Sequence, residues 1–135
     1  MTNKRKRDTI SIVDISTIDI VFLGGNTMAR EQLKTLTEQM YYILLSLMNP
    51  NHGYGIMQDV EEKTKGRVKI GAGTLYNLLS RFEEEDIIKQ ISEEDRRKTY
   101  IITEKGLDIL KEEYKRLIQL IADGDCLLER GMQDE

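Results

Sequence analysis

The chain has 135 residues, 33% of them charged and 39% hydrophobic, with a formal net charge of −4 at pH 7. That length supports one domain with a core and some appendages, not two comfortable domains. A single cysteine, Cys126, and a single histidine, His52, exclude an intramolecular disulfide framework and a Cys/His metal site, and the acidic balance means that any nucleic-acid function must be argued from where basic residues cluster.

Residues 1–27 differ in character from the rest of the chain. Lys4, Arg5, Lys6 and Arg7 form a basic run, a β-branched stretch without helical periodicity comes next, and Gly24, Gly25 and Asn26 break it. Asp14 and Asp19 interrupt the apolar residues, so no run approaches the roughly 20 residues of a membrane helix and no signal-peptide core is present. A cytoplasmic protein that does not enter a membrane is expected. Residues 4–7 are either a DNA-contacting arm or part of an upstream extension before a start at Met28, and the many isoleucines favour the extension. Residues 1–30 are therefore expected to be a flexible N-terminal extension.

Thr35 and Glu38 have capping-box spacing ahead of an apolar run, which predicts a helix from there to about Met48, stopped by Asn49, Pro50 and Asn51. It carries two apolar stripes. Leu36, Met40, Ile43, Leu44 and Leu47 make one, and Tyr41, Leu45 and Met48 make a second that calls for full burial or a partner subunit. A second helix is predicted from about Tyr54 to Lys65, with Ile56, Met57 and Val60 inward and Gly66 ending it. His52 falls in the turn between them, as a polar loop residue. Arg67, Val68, Lys69 and Ile70 alternate, giving at most a short edge strand.

The stretch 71–88 organises the rest. Leu75, Leu78, Leu79 and Phe82 give a helix one apolar face, while Asn77, Ser80 and Arg81, with Thr74 and Tyr76 in the first turn, occupy the other. Residues 63–82 contain Lys63, Lys65, Arg67, Lys69 and Arg81 and no acid. Hydroxyls, an amide, a phenol and basic groups beside helical N–H groups suit phosphate contact and base-edge reading; taken alone, this window favours an ordinary solvated helix face. Gly71 and Gly73 are not a phosphate loop, because no Lys-Ser/Thr comes after them, and are expected to allow a tight turn into the helix.

After fraying over residues 83–86, strands are predicted at 87–91 and 99–103, joined by a polar reversal from Ser92 to Arg97. Arg96, Arg97 and Lys98 sit at this tip opposite Glu93, Glu94 and Asp95 and either pair with those acids or are left for phosphates. Thr103 is a good N-cap for a last helix running to about Asp123, with Gly124 ending it and residues 125–135 a loose polar tail. Leu107, Leu110, Tyr114, Leu117 and Ile121 form an a/d seam longer than a three-helix core needs, which points to packing across a subunit interface.

This order is a mainly α fold with a small β-hairpin: a winged helix-turn-helix domain at 31–103 and a C-terminal dimerisation helix at 104–124. The strings YYILLSLMNPNHGYGIMQDVEE, GAGTLYNLLSRFEEEDII and EEDRRKTYIITEKG also resemble the PadR family of bacterial transcriptional regulators over residues 36–123. The resemblance implies a homodimeric repressor with its third helix and wing on double-stranded DNA and its last helix packed on the partner's first. By motif position, Thr74, Tyr76, Asn77, Ser80 and Arg81 would face DNA from the helix, and Arg96, Arg97 and Lys98 from the wing, with Tyr76 on a phosphate. Lys69 joins them from the basic window. Tyr41, Leu45, Met48, Leu107, Leu110, Tyr114, Leu117 and Ile121 are the expected dimer contacts. Members of this single-helix class respond to small aromatic or cationic effectors.

Two features depart from the family pattern. The wing lacks a glycine at its tip and has Thr99 where an aromatic is common, and the absence of tryptophan removes a stacked-indole site, leaving Tyr41 and Tyr114 as aromatic walls. No cofactor is implied, and no nucleophile has a base at a meaningful spacing, so an enzyme is not expected. The rival is a winged helix serving as a protein-docking adaptor, for which the overall acidity is some support.

Overall fold

The computed structural model describes residues 35–134; the expected extension at 1–30, including the basic run at 4–7, lies outside them. The elements run α1 (Glu38–Ser46), β1 (Asn51–His52), α2 (Gly53–Lys63), α3 (Ala72–Glu84), β2 (Ile88–Glu94), β3 (Arg97–Ile102) and α4 (Glu104–Asp134). This is the expected mainly helical winged fold with a small antiparallel sheet.

α1 starts later than the sequence suggested. Its N-cap is Thr37, whose hydroxyl accepts from the Met40 amide at 3.2 Å, and not Thr35. Either threonine fits an N-cap, and the choice is marked by Thr37, whose carbonyl also accepts the first helical bond, from the Tyr41 amide at 3.0 Å. The stripe anticipated as the inner one is buried throughout, and Leu45 and Met48 on the second stripe are exposed.

α2 ends at Lys63, two residues early, because Thr64 turns inward. Its buried hydroxyl donates to the Val60 carbonyl at 2.8 Å and accepts from the Val68 amide at 3.0 Å, and Lys65 and Gly66 then take positive φ of 53° and 81°. Residues 67–70 form no strand: Val68 and Ile70 are buried, but they reach the core from an irregular connection. Leu75, Leu79 and Phe82 anchor α3 in that core, each at most 1% exposed.

The sheet has three strands in the order β1-β3-β2, one more than the hairpin read from sequence. Asn51 and His52 pair with Tyr100 and Thr99, a two-residue strand too short to show alternation. β2 and β3 run to the tip, so the reversal is not six residues long but two, Asp95 and Arg96, both at positive φ (52° and 67°). That backbone matches the twist of a two-residue hairpin, a site where glycine or asparagine is the easier choice. A bulge between Gln90 and Ser92 interrupts the ladder.

Thr103 fixes the start of α4. Its hydroxyl accepts from the Gly106 amide at 3.0 Å and lies 2.9 Å from the Ile87 carbonyl, to which its own amide also donates. α4 does not stop at Gly124 but continues to Asp134, so residues 125–134 are helical, not a loose tail. Glycine costs only about 1 kcal/mol inside a helix, too little to end one this long.

Candidate nucleic-acid interface

The polar face of α3 and the wing enclose a cleft of about 460 Å³. Tyr76, Leu79, Ser80 and Glu83 line it from α3, and Arg96, Arg97, Lys98 and Tyr100 from the wing, while His52, Gly53 and Tyr54 close it from the start of α2. Of the nine residues expected at DNA, five (Tyr76, Ser80, Arg96, Arg97 and Lys98) thus share one recess. Thr74 and Asn77 are exposed on α3 outside it.

The wing cations are available. Among the described residues none of Arg96, Arg97 or Lys98 forms an ion pair, although Lys98 lies opposite Glu93 and Arg97 opposite Glu94 in the β ladder. The three tip acids therefore hold none of them in a direct pair. The cations of the basic window differ. Arg81 pairs with Glu85 at 3.3 Å and is half-buried, and Lys69 lies 3.7 Å from Glu61. Arg67 donates to the Tyr42 hydroxyl at 2.8 Å and to Glu38 at 2.9 Å, which raises its pKa and ties the approach to α3 back onto α1. Four residues on from Arg81, or on neighbouring elements, these carboxylates were in the sequence; their proximity across elements was not.

Tyr76 owes its position to a glycine. A Cβ at Gly53 would stand 2.7 Å from its Cζ and 2.8 Å from its Cε1, so only glycine lets the phenol lie over the start of α2 while remaining half exposed. Tyr100, on the floor, has its pKa raised by burial first and then by Glu83, Tyr76 and Glu93. The N-terminus of α3 is open in a different sense. Gly71, its N-cap, has φ −72° and makes no side-chain capping bond, and a Cβ at Gly71 or Gly73 would meet nothing within 4 Å. The expected tight turn is absent. What these glycines do leave is an uncovered stretch of backbone beside Thr74, where another chain of atoms can approach α3 closely.

His52 and Tyr54 are not among the interface residues expected from sequence. The HGYG string marks a turn, but the pairing of β1 with β3 that carries His52 to the wing has no readable signal. Among the described residues no group of three or more His, Cys, Asp or Glu side chains could hold a metal, and no helix is long and apolar enough to cross a membrane.

On the expected dimer face, Leu110 is 5% exposed and belongs to this chain's own core, so it is not free for a partner. Leu107, Leu117 and Tyr41 are half-buried, whereas Leu45, Met48, Tyr114 and Ile121 are exposed, and the apolar surface continues beyond them through Leu127, Leu128 and Met132.

Comparison with known proteins agrees with this architecture. A PadR family transcriptional regulator from Eggerthella lenta superposes with a TM-score of 0.58 at 25% identity, covering 85% of this chain and 97% of that one. A PadR-like regulator from Bacillus cereus gives 0.55 at 26% identity over 65% and 88% of the two chains, and a transcriptional regulator from Clostridium thermocellum gives 0.53 at 27% over 73% and 95%. In sequence, the chain is 27% identical over 88 residues to an uncharacterized 37.1 kDa protein in a Streptomyces fradiae transposon, spanning 65% of this chain but only a quarter of that protein. Residues 43–112, just over half of the chain, match the transcriptional regulator PadR-like family. With the recognition-type helix, the cationic wing and this match in agreement, the chain belongs to the PadR-like family of transcriptional regulators.

Proposed function

We propose that the protein is a homodimeric, ligand-responsive repressor that binds an inverted-repeat operator through α3 and the wing. The observation that carries this is the cleft in which the polar face of α3 meets three cations that no carboxylate of the described chain has claimed. Phosphates supply the missing partners. Arg96, Arg97, Lys98 and Tyr76 hold the backbone, while Thr74, Asn77 and Ser80 face base edges in the major groove. Lys69 and Arg81 join only by exchanging Glu61 and Glu85 for phosphate, and so contribute less.

The dimer is argued from α4. Tyr114, Ile118, Ile121, Leu128 and Met132 are exposed on one long helix, and a partner's α1 and α4 would cover them together with Leu45 and Met48. Tyr41, Leu107 and Leu117 flank that contact. A two-fold axis along this contact places two α3 helices in successive major grooves about 34 Å apart, which requires an inverted repeat. The effector is placed beside Tyr41 and Tyr114, whose rings offer faces to a small aromatic or cationic compound, the neighbouring Glu113 carboxylate being already held by Arg116. It would release DNA by stabilising a different spacing of the two α3 helices; a broad panel of such compounds that leaves the affinity of a preformed DNA complex unchanged removes this part of the proposal.

The test is enrichment of duplexes from a random-sequence pool by the full chain. Recovery of one inverted-repeat sequence supports the proposal. A pool that stays random, together with retention of a protein partner, identifies the adaptor instead.

A further inference from the structure

Beside the residues that the DNA-binding proposal uses, the cleft is lined by the polar side chains of His52, Tyr54, Glu83 and Tyr100. His52 is the N-cap of α2: its Nδ1 accepts from the Gly55 amide at 3.2 Å. An amide N–H can only donate, so Nδ1 carries no proton and the ring is neutral with its hydrogen on Nε2. Two features hold the ring there. The Asn51 side chain accepts from the His52 amide at 2.8 Å, and Gly55 packs so closely that a Cβ on it would stand 3.3 Å from His52 Cε1. Among the described residues Nε2 has no partner, and the ring lines the same recess as Tyr76 and Arg97.

We infer that His52 is a DNA-contacting residue whose tautomer is set by the Gly55 amide, so that a neutral Nε2–H donates to a backbone phosphate entering the cleft. This inference rests on the DNA-binding proposal and adds a residue and a role to it. A neutral donor suits a recess already holding three cations, because it adds a directed hydrogen bond without adding like charge. It also separates His52 from the wing residues: Arg97 brings charge and therefore salt dependence, whereas His52 brings a hydrogen bond and almost none.

Two substitutions divide its two nitrogens. His52→Asn keeps an acceptor near the Nδ1 position, and so the cap, but has nothing in place of Nε2. His52→Gln places an amide near Nε2 and loses the cap. Each full-length variant is titrated with the duplex enriched from the random pool, across a salt series, beside wild type and Arg97→Ala, and its thermal unfolding is recorded. The inference expects His52→Asn to melt with wild type yet bind roughly ten-fold more weakly at an unchanged salt slope, the loss of one neutral hydrogen bond in each half-site. It expects His52→Gln to melt lower while its folded fraction binds within about three-fold of wild type. Wild-type affinity in His52→Asn, with Arg97→Ala impaired, overturns the role of His52 and leaves the DNA-binding proposal standing. A shallower salt slope in His52→Asn overturns the neutral tautomer. Failure of wild type to enrich any sequence overturns both.

Discussion

Leu110 and Ile121 belong to the same seam of α4 in sequence, yet one is buried within the chain and the other exposed, and truncating each to alanine separates a core role from the proposed dimer role. Leu110 is 5% exposed within a single chain. Leu110→Ala should therefore lower the stability of the fold itself by about 2–5 kcal/mol, the range for a leucine removed from a packed core. Ile121 is 64% exposed, so its loss should barely change the folding of one chain. Under the proposed dimer, its cost appears on association. An isoleucine cut to alanine forfeits about three methylene equivalents near 0.8 kcal/mol each, and the exposed two-thirds of that, about 1.5 kcal/mol, is what a partner can still bury. In a two-fold dimer the change occurs twice, giving about 3 kcal/mol and a dissociation constant raised roughly 150-fold. Sedimentation equilibrium across a dilution series, with urea unfolding on the same samples, measures both quantities. Ile121→Ala dimerising as tightly as wild type would refute the assignment of this face, and an unaltered fold in Leu110→Ala would refute the placing of that residue.

Other outcomes are expected from particular contacts. Thr37→Ala should destabilise the domain by about 1 kcal/mol in urea unfolding, because it removes the cap on α1, whereas Thr35→Ala should change little; the reverse order would return the helix start to Thr35. The pKa of Tyr41 is raised above its ordinary 10.0 by burial first and then by Tyr114, Glu113 and Tyr42. A raised pKa means the folded form keeps a proton that the unfolded form has lost, so the stability from this group is intact below pH 10 and declines as pH rises above it. Tyr41→Phe should soften that alkaline loss in unfolding curves, and an identical pH profile would show that Tyr41 titrates normally. Gly53→Ala should push the Tyr76 ring aside and weaken DNA binding several-fold with little change in melting temperature; unchanged affinity would mean Tyr76 has no part in the contact.

Periodicity made much of this protein legible. The inner stripe of α1, the anchoring residues of α3 and the capping role of Thr103 all have local signatures, and each lies where the sequence placed it. Misreadings fell where local signals tie or vanish. Thr35 and Thr37 both fit a cap, and the capping-box spacing pointed to Thr35 where the hydroxyl that takes the Met40 amide is that of Thr37. β1 is two residues long and exists because β3 pairs with it, which no window of sequence can show. Gly124 looked like a stop, but one glycine cannot outweigh the helix on either side. The site divides in the same manner: residue types on α3 and the wing pointed to an interface, and Glu85 one helical turn after Arg81 was a readable partner for it, while the carboxylate beside Lys69 and the strand that brings His52 to the cleft arise from tertiary pairing.

The most direct test of the central claim is the salt dependence of binding to the enriched operator, measured for wild type, Arg97→Ala and Arg81→Ala. Loss of a free wing cation from both protomers should make the slope of log K against log salt shallower by about 2, near 0.9 for each phosphate contact released. Arg81→Ala, whose guanidinium is already held by Glu85, should shift it less. Wild-type slope and affinity in Arg97→Ala would contradict the account.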